Sequence, residues 1–382
     1  MSSNRNRERR LGLIVNPIAG LGGRVGLKGS DGAAIQQQAL RLGAVPQSLH
    51  RAAQVLERLK PIKDELMLYT YPAEMGEEAA KRCGLDHTVI GSIVAGQTTA
   101  ADTARAAREM QRLRVDLLLF AGGDGTARDI IDAIDDTLLV LGIPTGVKMQ
   151  SAVFAVSPIS AGDLTLASLQ GRIRREREAE VMDIDEDALR QGIVTAKLYG
   201  YLRVPHEDRL VQGAKTPSSG RDKAAMETIA LQIIDHMEDE PLYIVGPGTT
   251  TRAILSKLGL DKTLIGVDVV WKDKLLASDV NEAQLLNLLE GRTSRIIVTP
   301  IGGQGYLFGR GNQQISPKII KQVGKANIIV VATPEKMDAL RGRPFLVDTG
   351  DPETDRWLSG YTRVVCGYGE YSIYKISYAG EN

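Results

Sequence analysis

Short apolar runs alternate with amphipathic stretches over the first 160 residues of the chain. The runs carry little polar alternation, which is typical of strands in a parallel sheet that is covered on both faces. The runs that predict strands are LGLIVNP, ELMLYTY, TVIGSI, VDLLLFAG and TLLVLGIP. The intervening stretches that predict helices are DGAAIQQQALRLG, AEMGEEAAKRCG and TTAADTARAAREMQRL. This order predicts an N-terminal α/β domain, residues 1–160, built on a doubly wound parallel sheet.

The pattern changes after residue 160. The segment RIRREREAE is charged at nearly every position and predicts a solvated helix face. Strand-like runs follow, then strand–helix units such as LYIVGPGTTTRAILSKLG, and the tail TRVVCGYGEYSIYKISY predicts two antiparallel strands. We therefore predict a β-rich second domain over residues 161–382 that carries additional α/β units. Whether its last strands return to the first domain is left open.

Composition excludes several classes of partner. Lys plus Arg and Asp plus Glu each number 47, so no net charge favours nucleic acid or an acidic membrane. The two cysteines and four histidines lack the spacing of a structural zinc site. The apolar run near the N-terminus is too short for a signal peptide, and no run approaches the ~18 apolar residues of a membrane helix. We expect a soluble, cytoplasmic protein with no nucleic-acid or membrane partner.

The most unusual turn is GGDGT, which comprises Gly122, Gly123, Asp124, Gly125 and Thr126. It ends a predicted strand and precedes a predicted helix, where glycines let the backbone approach a ligand and adopt positive φ, and N–H groups face an anion. A bound phosphate would repel the Asp124 carboxylate, so its presence in this turn needs a reason. It would be explained if the carboxylate accepts a proton from an attacking hydroxyl or binds a phosphate-bound Mg²⁺. Alternatively, Asp124 caps the next helix. The motif alone leaves both interpretations open.

Two further polar turns follow predicted strands of the same domain. NPIAG carries Asn16 and Gly20, and GIPTGVK carries Gly146 and the cationic Lys148. Ligands of doubly wound folds bind at the carboxyl ends of the strands. We therefore predict that the three turns converge on one nucleotide-binding cleft.

A similar pattern recurs in the second domain as YIVGPGTTTRAI. Gly246, Gly248, Thr249 and Thr250 would supply N–H and hydroxyl donors to a phosphate. Helix capping alone would also explain the threonines.

NPIAG together with GGDGT resembles the superfamily of NAD kinases, diacylglycerol kinases and sphingosine kinases. TPIGGQGY is similar to the NAD-kinase motif TPTGSTAY, with matches at Thr299, Pro300, Gly302 and Tyr306. ATPEKMDALRGRPFLV is similar to the NAD-kinase segment TPIxPHSLSxRPIVL. The sequences of these motifs resemble most those of the divergent bacterial branch called ATP-NAD kinase-like, or acetoin-catabolism X-like, proteins.

The resemblance implies an active site between the two domains. Asp124 would be the general base for the 2′-hydroxyl of the adenosine ribose, with Gly122, Gly123, Gly125 and Thr126 along the phosphates. The second domain would line the dinucleotide with Thr299, Gly302, Gly303 and Tyr306. Mg²⁺ with ATP, or polyphosphate, would be the donor, NAD or a related nucleotide the acceptor, and we expect a homo-oligomer.

Two departures put the acceptor's identity in doubt. NAD kinases carry an Asn-Glu or Asn-Asp pair near the start of the second domain, where it binds the acceptor, and the segment KLYGYLRVPHED contains no such pair. Asn281-Glu282 lies further along, in a context that favours helix capping. Gly303-Gln304-Gly305 replaces the Ser-Thr-Ala of TPTGSTAY. A kinase of the same fold for a lipid, sphingoid or sugar hydroxyl, and a non-catalytic nucleotide-binding regulator, therefore remain alternatives.

Two charged features also have alternative interpretations. Asp348, Asp351 and Asp355 would either hold a metal or form an acidic turn before a helix. Arg310 would either contact phosphate or pair on the surface. The sequence leaves any metal site unknown.

Overall fold

The computed structural model describes residues 8–27, 33–134, 137–146, 149–184, 196–207, 220–263 and 265–378. The chain forms two compact units. The first contains residues 1–21 and 45–214, and the second contains residues 22–44 and 215–382.

The first unit contains a five-stranded parallel sheet in the order β3-β2-β1-β4-β5. Its strands are β1 (Arg9–Val15), β2 (Leu66–Thr70), β3 (His87–Val89), β4 (Leu117–Gly122) and β5 (Val140–Pro144). Its helices are α2 (Ser48–Leu59), α3 (Glu77–Cys83), α4 (Ala100–Arg112), α5 (Asp124–Ile131) and α6 (Pro158–Leu169), with 3₁₀ turns at Lys60–Glu65 and Ala73–Met75. The predicted parallel sheet is confirmed.

Both faces of this sheet are covered by helices. On one face Leu11 and Leu13 pack with Val55 and Leu56 of α2. On the other face Ile14 and Phe120 belong to the core that contains Met110 of α4. Successive residues of a strand point to opposite faces of the sheet, so each strand contributes to both cores. Strands buried on both faces need apolar residues at every position, which explains the uninterrupted apolar runs in the sequence.

The first crossover differs from the sequence-based prediction. The predicted helix DGAAIQQQALRLG is present as α1 (Ala33–Arg41), but it belongs to the second unit. The helix that covers β1 is α2, which was not predicted. Its buried residues at positions 52, 55, 56 and 59 have the spacing of one helical face.

A two-stranded antiparallel hairpin, β6 (Glu176–Ile184) and β7 (Ala196–Pro205), completes the first unit. Ala179 and Val181, like Leu202 and Val204, alternate along their strands and are buried in the core that contains Phe120. The first unit therefore extends past the boundary predicted at residue 160. The helix predicted for RIRREREAE is wrong, because residues 176–180 follow the two-residue period of a strand.

The second unit contains a nine-stranded mixed sheet in the order β10-β9-β8-β11-β13-β15-β16-β14-β12. Its strands are β8 (Leu242–Val245), β9 (Asp268–Trp271), β10 (Lys274–Ala277), β11 (Ser294–Val298), β12 (Tyr306–Phe308), β13 (Ile328–Val331), β14 (Phe345–Val347), β15 (Gly360–Gly367) and β16 (Glu370–Tyr378). Besides α1, its helices are α7 (Gly220–Ile234), α8 (Thr249–Lys257), α9 (Glu282–Leu288), α10 (Pro317–Val323), α11 (Pro334–Asp338) and α12 (Pro352–Leu358), with a 3₁₀ turn at Lys325–Asn327.

Two features of this sheet bear on the predictions. The tail forms the predicted antiparallel pair, β15 and β16, and it lies inside the nine-stranded sheet rather than in the first unit. β8, β11 and β13 are parallel neighbours, so their carboxyl ends share one edge. Across the described ranges, no helix combines the length and apolar character needed to cross a membrane.

Candidate functional site

The three polar turns of the first unit lie together at the carboxyl edge of its sheet. The backbone N–H of Asn16 donates to the carbonyl of Ala121 at 2.9 Å, and that of Thr145 donates to the carbonyl of Gly122 at 3.1 Å. The Asn16 Nδ2 donates to the Thr126 Oγ1 at 2.9 Å. The predicted convergence of NPIAG, GGDGT and GIPTG is therefore observed.

The glycines in these turns are required mainly for close packing. A Cβ on Gly122 would lie 2.4 Å from the Thr126 Cβ, and one on Gly146 would lie 3.1 Å from the Gly123 Cα. A Cβ on Gly20 would lie 2.0 Å from the Thr145 carbonyl oxygen. The expected positive φ holds for Gly20 at 76°, whereas Gly123 has φ −118°. The turns are thus bare because their backbones touch one another.

Asp124 lies beneath this glycine surface at the first residue of α5. Its side chain is buried, with 5% of the residue exposed, while Gly123, Gly125 and Gly146 are partly exposed. The Oδ2 accepts from the Gln150 N–H at 2.6 Å and the Oδ1 from the Ser151 N–H at 3.0 Å. The carboxylate therefore anchors the loop that follows β5.

Burial raises the pKa of the Asp124 carboxyl to about 7, because the charged form loses its solvation. Hydrogen bonds from Ser151 and Gln150 oppose this shift by stabilising the carboxylate, and the charge of Asp183 adds to it. A carboxyl with this pKa exchanges protons readily near neutral pH, which suits a general base.

Helix capping does not explain Asp124. The N-cap of α5 is Gly123, and no side chain caps this helix terminus. The loop held by Asp124 is tied in turn to β6, since the Ser151 Oγ donates to the Met182 carbonyl at 2.8 Å and accepts from its N–H at 2.9 Å. Asp124 thus belongs to a network that joins α5, the loop after β5 and the β6–β7 hairpin.

Asn16 braces two of the turns. Its Nδ2 bonds to Thr126, and its Oδ1 accepts from the Ile18 N–H at 3.2 Å. These bonds orient both turns, while a direct contact between Asn16 and a ligand stays a prediction. Lys148 lies outside the described residues.

Thr145 is a site residue that was not predicted from the sequence. It is 5% exposed, and its Oγ1 has no hydrogen-bond partner in the described structure. A buried hydroxyl without a partner is unfavourable unless a ligand or water satisfies it. Its position directly before Gly146, in GIPTG, was the available signal. Together with the close glycine backbones, this hydroxyl fits a phosphate at the edge of the turns.

The phosphate-binding turn predicted for YIVGPGTTTRAI in the second unit lies between β8 and α8. Gly246 follows β8, and Gly248, at φ 134°, is the N-cap of α8 with no side-chain cap. Thr249 is exposed, whereas Thr250 is fully buried. The Thr250 Oγ1 accepts from the Lys336 ammonium at 2.9 Å rather than capping the helix. Lys336 was not singled out from the sequence.

The TPIGGQGY segment forms a closed turn between β11 and β12. The Ile301 N–H donates to the Tyr306 carbonyl at 3.1 Å, and Gly303 has φ 76°. Thr299 accepts from the Lys336 ammonium at 3.1 Å, whereas Tyr306 is 2% exposed and lies beneath the Arg310 guanidinium. Ligand contacts by Thr299, Gly302, Gly303 and Tyr306 stay predictions.

The remaining polar and charged candidates have structural partners. Asn281 and Gln284 form a reciprocal capping box at the start of α9, as the capping interpretation predicts. Arg310 pairs in a buried position with Asp348, their Nε and Oδ2 3.3 Å apart, rather than on the surface.

The acidic turn is likewise occupied by protein partners. The Asp355 Oδ1 accepts from the N–H and the hydroxyl of Thr349, at 2.9 and 2.7 Å. Asp351 pairs with Lys321 at 3.3 Å. Within the described ranges, no group of three acidic, histidine or cysteine side chains could hold a metal ion. The acidic-turn interpretation therefore accounts for these residues.

Two protein-family models match the sequence. Residues 11–173 match the ATP-NAD kinase N-terminal domain, and residues 238–376 match the ATP-NAD kinase C-terminal domain. The two matches occur in the expected order and leave residues 174–237, which contain the β6–β7 hairpin and α7, outside them. A comparison with curated proteins finds no match.

Proposed function

Because this chain belongs to the ATP-NAD kinase family, we propose that it transfers a phosphoryl group from ATP or polyphosphate to a hydroxyl of NAD or a related nucleotide. The observation that carries the proposal is the Asp124 carboxyl, buried at the meeting point of three glycine turns with its pKa raised to about 7. Such a group both holds and releases a proton at physiological pH.

Asp124 would act as the general base. Its carboxylate removes the proton of the acceptor hydroxyl while the hydroxyl oxygen forms a bond to the transferred phosphorus, and the bond to the donor's leaving oxygen breaks. Two N–H donors already bind the carboxylate, and a carboxylate has about four lone-pair sites, so capacity for the hydroxyl proton remains.

The glycine turns would hold the phosphates of the donor. Gly123 and Gly125 present partly exposed backbone at the start of α5, where N–H groups and the helix dipole favour an anion, and the partly exposed Gly146 lies beside Gly123. The unpartnered Thr145 hydroxyl supplies a further donor. Mg²⁺ would enter with the donor phosphates, since this ion commonly takes only one or two protein carboxylates beside phosphate oxygens.

A non-catalytic nucleotide-binding regulator is the second candidate. Asp124 is bonded to two loop N–H groups, which would also suit a purely structural carboxylate. In addition, Asn281-Glu282 caps α9, and this leaves the acceptor-binding pair of the NAD kinases without a counterpart that we can identify.

The test is incubation of the full-length protein with NAD, Mg²⁺ and either ATP or polyphosphate. We expect one phosphorylated dinucleotide per phosphoryl group lost from the donor, detected by mass spectrometry. Sugar, sphingoid and lipid alcohols serve as competing acceptors. Nucleotide binding without turnover on any acceptor would contradict the kinase proposal and favour the regulator.

A further inference from the structure

A second cluster of hydrogen-bond donors lies at the carboxyl edge of the nine-stranded sheet. Lys336, in α11, donates from its Nζ to the Oγ1 of Thr250 at 2.9 Å and to that of Thr299 at 3.1 Å. Thr250 lies in the first turn of α8 after β8, Thr299 follows β11, and α11 follows β13. One ammonium group therefore connects the ends of three neighbouring parallel strands.

The two threonine hydroxyls have donor capacity that the protein does not use. Each Oγ1 accepts from an ammonium, so each O–H is available for donation. In the part of the chain that the structure describes, neither O–H reaches an acceptor, although Thr250 is fully buried and Thr299 is 6% exposed. Buried donors without acceptors are unfavourable, and a ligand acceptor would relieve this.

The backbone around these hydroxyls adds further donors. A Cβ on Gly248 would lie 2.5 Å from the Thr299 Cγ2, so only glycine lets the two strand ends approach this closely. The first intrahelical bond of α8 runs from the Arg252 N–H to the Gly248 carbonyl at 3.0 Å, so the N–H groups of Thr250 and Thr251 precede the hydrogen-bonded ladder. Pro247 and Gly248 are partly exposed and Thr249 is exposed, which leaves access from solvent.

Ammonium, hydroxyl and backbone N–H groups thus converge in one place. We propose that this edge of the second unit is a phosphate-binding site, with Lys336 as its cationic residue and Thr250 and Thr299 as hydroxyl donors. Phosphate suits the site because its oxygens accept several bonds from different directions and carry a charge opposite to that of an ammonium group. The proposal extends the proposed kinase function by adding a phosphate contact outside the Asp124 site.

The test measures binding of inorganic pyrophosphate to the full-length protein by calorimetry and by hydrogen exchange. We expect pyrophosphate to slow exchange in the segment 246–257. Lys336→Met should abolish that protection and weaken binding at this site roughly 10- to 100-fold, as for loss of charged hydrogen bonds. Lys336→Arg should retain part of the affinity, because it keeps the charge.

Lys257→Met is the matched control, since Lys257 is an exposed lysine at the end of the same helix. It should bind pyrophosphate as the wild type does. Circular dichroism and thermal unfolding verify that each variant is folded. Unchanged protection of 246–257 in folded Lys336→Met, or pyrophosphate protection confined to 122–131 in the wild type, would overturn the proposal.

NAD and ATP then distinguish the source of the phosphate. Protection of 246–257 by NAD that depends on Lys336 assigns the site to the acceptor's diphosphate. The same result with ATP assigns it to the donor. Protection by neither nucleotide would show that pyrophosphate binds adventitiously and would overturn the proposal. None of these measurements requires turnover, so an inactive protein would contradict the kinase function while leaving this site testable.

Discussion

Asp124 has the environment of a carboxyl that changes protonation within the physiological range. Burial beneath the glycine turns opposes its charge, and two backbone N–H groups partly compensate. The sequence indicated that the aspartate of GGDGT is a candidate functional residue, but it could not predict the hydrogen-bond partners of that aspartate. Gln150 and Ser151 lie 26 and 27 residues away, and only the folded loop after β5 brings their N–H groups to the carboxylate.

This pKa predicts a specific dependence of stability on pH. The folded pKa of about 7 lies above the unfolded value near 3.9, so between these values the folded state binds more protons. The free energy of unfolding should therefore fall as pH rises through this window, with a contribution from Asp124 on the order of 4 kcal/mol. Chemical denaturation at several pH values measures it.

Asp124→Asn supplies the comparison for that experiment, because the amide does not titrate. The difference in unfolding free energy between wild type and variant should change steadily from pH 4 to 7 and then level off. A difference that is constant across the window would show that the folded pKa is not raised.

At the scale of elements, the turns act as one unit because they pack backbone against backbone. Gly20 has φ 76° and lies against the Thr145 carbonyl, whereas Gly84, at φ 63°, has nothing within 4 Å of an added Cβ. Gly84→Ala should cost about 1 kcal/mol, since only backbone conformation opposes it. Gly20→Ala should cost clearly more, because the NPIAG turn must move away from Thr145.

Nucleotide binding separates the two alanine variants further. We expect Gly20→Ala to weaken ATP binding and Gly84→Ala to leave it unchanged, as measured by calorimetry on full-length protein. Equal effects of the two substitutions on stability and affinity would contradict a site assembled from packed turns.

The Asn281 capping box gives a second prediction at this scale. Asn281→Ala should lower the free energy of unfolding by about 1 kcal/mol through loss of the cap. Thr99→Ala, which breaks the capping box of α4, should have a comparable effect. Neither should change the KM for NAD. A selective rise of that KM in Asn281→Ala would assign Asn281 to acceptor binding after all.

At the scale of the whole molecule, the sequence predicted the individual strands and turns better than it predicted which elements belong to the same unit. The apolar runs predicted β1, β2, β4 and β5, and glycine turns after strands indicated the site. By contrast, placing α1 in the second unit and the β6–β7 hairpin in the first depends on tertiary contacts. The role of Lys336 could not be predicted from the sequence for the same reason, since Lys336 and its partner Thr250 are 86 residues apart.

The central claim is that Asp124 is the general base of a phosphoryl transfer, and steady-state turnover of Asp124→Asn beside Ser151→Ala tests it most directly. Ser151→Ala disturbs the same loop through its bonds to Met182 and removes the Ser151 hydroxyl that helps to stabilise the Asp124 carboxylate, but it keeps the carboxylate itself. The measurement is NAD phosphorylation by full-length protein, with hydrogen exchange at Gln150 and Ser151 to report loop order in each variant.

We predict that Asp124→Asn loses about 10²- to 10⁴-fold in kcat, the contribution of a positioned general base. Loop exchange should quicken in Asp124→Asn, because the Asn amide has one accepting oxygen where the carboxylate has two. It should also quicken in Ser151→Ala, because the bonds of the Ser151 hydroxyl to Met182 are lost. Ser151→Ala should remain within about tenfold of wild-type kcat, since the base is retained. Near wild-type turnover in Asp124→Asn, or equal losses in the two variants, would contradict the account and assign Asp124 a purely structural role.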